Sequence, residues 1–150
     1  MILISYLELF DVSHIHPMVT HFPIAIIAVG FLADLVSLFF KKEKCLSKMG
    51  YYLAIIGMLA AIAAWGTGYF LTSPMEGEAG DLRATHKMFA TLTLITMIVA
   101  TSFRSIIVYI NKEETNLKYA SIILFFIAFI FVSYTGYLGG ALVLNFMIGL

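Results

Sequence analysis

The chain has 150 residues, of which 61% are hydrophobic and 12% charged, with nine basic and nine acidic side chains cancelling to a formal net charge of zero. Soluble domains carry about 25% charged residues, so half that share points to a chain embedded in lipid. Without a basic run interleaved with aromatics, the electrostatic footprint needed for nucleic acid is missing, and that class of partner is excluded.

In chain order, residues 1–13 are apolar but interrupted by Glu8 and Asp11 and lack a basic leader, so they read as a short interfacial segment rather than a cleaved signal peptide. A bilayer core of about 30 Å needs ~20 apolar residues of helix. Four stretches meet that length, at 18–40, 49–71, 86–110 and 117–138. In the first, Pro17 suits an opening helical turn and biases His16 away from helical angles, which makes His16 a cap or loop residue. Pro23 lacks an N–H and crowds the Val19 carbonyl, which should bend the span and aim His21 inward. Between the second and third stretches, 72–85 holds Pro74, Gly77 and Gly80 and reads as an irregular loop. The expected fold is all-α, a polytopic membrane four-helix bundle with 1–150 as one transmembrane domain.

Cationic loops are retained in the cytoplasm. Lys41, Lys42, Lys44, Lys48, Arg104, Lys112 and Lys118 lie in or beside the first and third loops, whereas only Arg83 and Lys87 lie on the other side. This places both termini outside, with His14, His16, His21 and His86 at the outer ends of spans one and three. The lone cysteine, Cys45, is then a free cytoplasmic thiol, and no C-x-x-C-H is present for covalent haem attachment. Asp34 and Arg104 each stand six residues from the inner end of their span, at equal depth, ~9 Å inward. A lone charge at a helix centre costs about 2.5–3.5 kcal/mol, less nearer the end, so a structural ion pair is expected. Snorkelling of Arg104, with Asp34 bonded to Ser37, is the competing arrangement.

Thr67-Gly68-Tyr69 near the outer end of span two recurs as Thr135-Gly136-Tyr137 near that of span four. Each follows a histidine at the head of the preceding span, His21 or His86. Such a pattern would make two parallel helical-hairpin repeats and set the two histidines facing each other across the bundle.

His16-Pro17-Met18-Val19-Thr20-His21-Phe22-Pro23, Asp34 in the same span, and Gly136-Tyr137-Leu138-Gly139-Gly140-Ala141-Leu142-Val143 resemble a family of uncharacterised bacterial four-helix membrane proteins with a domain of unknown function. Its pattern runs from H-P-x-x-V-H-F-P to G-Y-L-G-G-x-L-V, and the resemblance extends over nearly the whole chain. His86 falls where the family has a histidine opening the third span. The resemblance implies the bacterial inner membrane. Relatives joined to Rieske or cytochrome c modules imply a redox setting, with a cytochrome, Rieske or quinone partner. Thr20 stands where valine is usual, Ala141 where an acid is common, and Asn145-Phe146 where relatives carry a basic residue and histidine. The last two departures weaken a ligand role for the C-terminal motif.

Imidazole is a ligand of choice for haem iron, copper and zinc, and ionisable groups within spans are rare enough to mark function. His14 reads as interfacial. With no second cysteine, no H-E-x-x-H and no histidine pair at i, i+4, the usual zinc ligand sets are missing. Two opposed histidines, His21 and His86, suit the axial positions of b-type haem, with His16 in reserve if His21 points outward. Thr67 and Thr135 are expected to bond the far imidazole nitrogens, and Gly68, Gly136, Gly139 and Gly140 to make room beside them. Small residues also permit close helix packing, which explains most of them in span two. The leading reading is an electron-transfer protein rather than a stand-alone enzyme, in contact with lipid and in a homo-oligomer or larger complex. The alternative is a non-redox structural or assembly subunit of a larger complex.

Overall fold

The computed structural model describes residues 15–40, 42–112 and 116–146; the segment 1–13, His14 and Lys41 lie outside them. Four long helices fill almost all of that length: α1 (Ile15–Phe39), α2 (Lys44–Phe70), α3 (Gly77–Tyr109) and α4 (Asn116–Phe146). All four are long and apolar enough to cross a membrane. The protein is an all-α, multi-pass membrane protein whose four spans pack as a bundle.

Large apolar side chains such as Val29, Leu32, Ile56, Ile95, Ile123 and Ile130 are exposed on every helix. In lipid such surface costs nothing, so hydrophobicity alone does not choose the inward face. Small and polar residues choose it. The buried residues of α2 are Gly50, Ala54, Gly57, Ala61 and Ala64, spaced alternately four and three apart. On α1, Pro23, Ile27, Gly30, Asp34 and Ser37 keep the same rhythm, as do Thr93, Met97, Ala100, Arg104 and Ile107 on α3. A 3.5-residue period is the seam of left-handed helix packing. Ile27, Phe31, Ala54, Met97, Ile122, Phe125, Ala128 and Val132 meet along these seams as the apolar core. Phe31 stacks on Phe129 with centroids 5.2 Å apart.

Contacts are dense within the hairpins α1–α2 and α3–α4 and sparser between them, along α2–α3 and α1–α4. The helices therefore stand in chain order around a square, with α1 and α3 on one diagonal. Along α2–α3 the sparse contact is supplemented by polar bonds. Trp65 Nε1 donates to Thr91 Oγ1 at 3.0 Å, Thr101 Oγ1 to the Ala54 carbonyl at 3.2 Å, and Tyr51 Oη to Ser105 Oγ at 3.4 Å.

Helix ends depart from the hydropathy boundaries for local reasons. α1 begins at Ile15, so His16 is helical and Pro17 occupies the first turn, where a missing N–H costs nothing. The helix also runs through Pro23, which is buried. α3 starts at Gly77, nine residues before the apolar stretch, and much of the expected 72–85 loop is helix. Gly77 has φ +63°, a left-handed angle that turns the chain into α3 at little steric cost. α4 continues through Gly139 and Gly140 to Phe146. Exposed aromatics mark both ends of the bundle: Tyr69, Phe70 and Tyr137 at one, Phe39, Phe40 and Tyr109 at the other. Such rings favour membrane interfaces.

Candidate functional site: two imidazoles and a buried ion pair

At one end of the bundle the diagonal helices α1 and α3 bring two histidines together. The rings of His16 and His86 have centroids 6.3 Å apart and planes crossed at 83°. Both are half-buried. His21, one and a half turns further along α1, is exposed. Because α1 starts before Pro17 rather than after it, His16 has a helical phase, and that phase turns it into the bundle.

Each imidazole is held by the second helix of its own hairpin. His16 Nδ1 lies 3.0 Å from Thr67 Oγ1. That hydroxyl gives its own hydrogen to the Ala64 carbonyl at 3.0 Å, so it accepts from His16. His86 Nδ1 lies 3.1 Å from the Thr135 carbonyl oxygen, which can only accept. With Nδ1 as the donor in both neutral rings, the lone pair of each ring is on Nε2. An imidazole whose Nδ1–H is held by a protein acceptor is the usual form of a metal-ligating histidine, with its tautomer and orientation fixed from behind.

Two glycines make this approach possible. A Cβ at Gly68 would stand 2.7 Å from His16 Cε1, and one at Gly139 would stand 3.3 Å from His86 Cε1. Both therefore seat the imidazoles themselves. Gly136 faces Ile24, and a Cβ at Gly140 would meet open space. Around the pair, Trp65 stacks on Tyr69 at 5.2 Å, Lys87 Nζ lies 4.5 Å from the centre of the Tyr69 ring, and Arg83 Nη2 donates to Thr72 Oγ1 at 2.8 Å and the Thr72 carbonyl at 3.2 Å.

Toward the other end, Arg104 Nη2 stands 3.4 Å from Asp34 Oδ1, with both side chains 3% exposed. The same nitrogen donates to Ser47 Oγ at 2.7 Å, and Nη1 donates to Ser121 Oγ at 3.3 Å. Arg104 on α3 thus bonds one residue from each of the other three helices. Lys118 Nζ donates to Ser37 Oγ at 3.0 Å, adding a link between α4 and α1. Gly50 lets α2 come close, since a Cβ there would be 2.6 Å from the Asp34 carboxyl. A cavity of about 10 Å³ lined by Asp34, Ala54, Ala100, Arg104, Ser121 and Phe125 adjoins the pair. That is room for roughly one water molecule. Ser47 and Ser121 escaped the sequence reading, although Ser47 keeps the seam rhythm that leads to Gly50 and Ala54.

Among the described residues no group of three or more His, Cys, Asp or Glu side chains is placed to hold a metal ion. No curated protein and no solved structure matches the chain. Residues 13–150 match the family described as Predicted membrane protein (DUF2231), and the chain belongs to that family.

Proposed function

We propose that the protein is a membrane redox subunit that holds b-type haem between His16 and His86. The observation that carries this reading is the pairing of two imidazoles at ligand spacing, each with Nδ1–H engaged. Two imidazoles that shared one metal ion would have ring centroids roughly 6 Å apart, from a metal–nitrogen bond of about 2.0 Å on each side. The observed separation is 6.3 Å. Haem bound there would supply a one-electron iron couple whose potential follows from its axial ligands, their hydrogen bonds and burial. Thr67 and the Thr135 carbonyl would hold the Nδ1 protons of the two ligands, and two protein ligands would favour electron transfer over oxygen chemistry.

The test is spectroscopic. Purified protein should show b-type reduced-minus-oxidised bands that are lost in His16→Ala and in His86→Ala but kept in His21→Ala. If the wild-type protein shows no such bands even when expressed with added haem, this function fails and a non-redox structural subunit takes its place.

The basic-residue bias further supports placing the histidine end outside the cytoplasm and the Arg104 end inside. Cys45, exposed in the first turn of α2, reports on this directly. A membrane-impermeant thiol reagent should label it only after lysis; labelling of intact spheroplasts would reverse the orientation.

A further inference from the structure

We infer that Arg83 and Lys87 form an anion subsite beside the two-imidazole site, taking the carboxylates of the group bound there; this rests on the haem reading above. Arg83, His86 and Lys87 stand at i, i+3 and i+4 on α3, one face of a helix. Both cations meet the end of α2 and the turn that follows it. Arg83 reaches Thr72, Lys87 lies over Tyr69, and Gly68 beside Tyr69 is the glycine under the His16 ring.

Neither cation has a carboxylate within 4.0 Å among the described residues, although Glu76, Glu78 and Asp81 are close in sequence. Arg83 uses Nη2 for both of its bonds to Thr72. Guanidinium has five N–H donors in a planar fork matched to carboxylate, so Nε and Nη1 are available for a further acceptor. Lys87 rests against an aromatic face, a contact that uses its charge but none of its donors. Two cations beside two neutral imidazoles suit a ligand with an apolar, metal-bearing body and carboxylates at one edge. Iron protoporphyrin has that form.

The experiment compares binding of iron protoporphyrin IX and its dimethyl ester, in which both carboxylates are capped, to full-length protein depleted of haem in detergent. Wild-type protein should prefer the free acid by about tenfold, the worth of one or two charge-assisted bonds. An Arg83→Gln/Lys87→Gln variant should bind the two probes equally, and Arg83→Lys should keep part of the preference. If wild-type protein binds both probes equally, the subsite fails while the haem reading stands. If the double variant melts at lower temperature yet keeps the wild-type preference, the cations only cap the end of α2 and the inference is overturned. If wild-type protein binds neither probe, the haem reading fails and the subsite falls with it.

Discussion

Arg104→Leu should destabilise the bundle by about 3–5 kcal/mol, the usual cost of removing one partner from a buried ion pair. The loss exceeds that of one contact because the guanidinium satisfies Asp34, Ser47 and Ser121 on three different helices. Leucine would leave the Asp34 carboxyl, 2% exposed, without the guanidinium in a medium that hydrates it poorly. Asp34→Leu alone should be similarly harmful for the opposite sign of charge. The double variant Asp34→Leu/Arg104→Leu should recover most of the lost stability, since a buried pair replaced by packed apolar groups is often neutral. Unfolding midpoints of the three variants in detergent measure this. If Arg104→Leu is as stable as wild type, or the double variant is worse than either single one, the pair does not hold the helices together in the way described.

Gly68→Ala should disrupt the imidazole pair while Gly66→Ala leaves it intact. The added methyl at position 68 would stand 2.7 Å from His16 Cε1 and 3.2 Å from Nε2, whereas at position 66 it meets nothing within 4 Å. A ring fixed by Thr67 can escape only by giving up its Nδ1 bond, so the clash falls on the ligand geometry. Overpacking of this kind costs about 1–3 kcal/mol. At position 66 the same change removes a flexible residue from a helix and should be neutral or favourable by up to ~1 kcal/mol. Thermal midpoints and haem difference spectra of the two variants separate the effects. Equal spectra from both would show that the fit of His16 against α2 has no bearing on the site.

The sequence was most informative where one physical constraint dominated. Four apolar runs and the length a bilayer demands were enough for the spans, and the matching depths of Asp34 and Arg104 drew attention to two residues that the structure brings together. The Thr-Gly-Tyr tripeptides pointed to Thr67 beside His21 and Thr135 beside His86, whereas Thr67 meets His16 and Thr135 meets His86 through its backbone carbonyl. The choice between His16 and His21 was harder. It turns on helical phase, and phase depends on whether α1 begins before or after Pro17, a boundary that hydropathy does not mark. The first turns of α3 were hidden for a related reason: Gly77 to Thr85 is polar, and only the left-handed angle at Gly77 shows how the chain enters the helix there. The donor to Thr91 from Trp65, and the serines beside Arg104, depend on which helices become neighbours.

The Asp34–Arg104 contact also sets a timetable for biosynthesis. Its two ends are 70 residues apart in the chain, and ribosomes add about 5–20 residues per second, so the aspartate is made roughly 4–14 s before the arginine that answers it. The first hairpin must therefore wait in the translocation machinery or in lipid with an incomplete interior. Arrival of the third helix supplies the guanidinium, and the fourth supplies Ser121. Only a nascent chain that has delivered all four helices can close this polar centre.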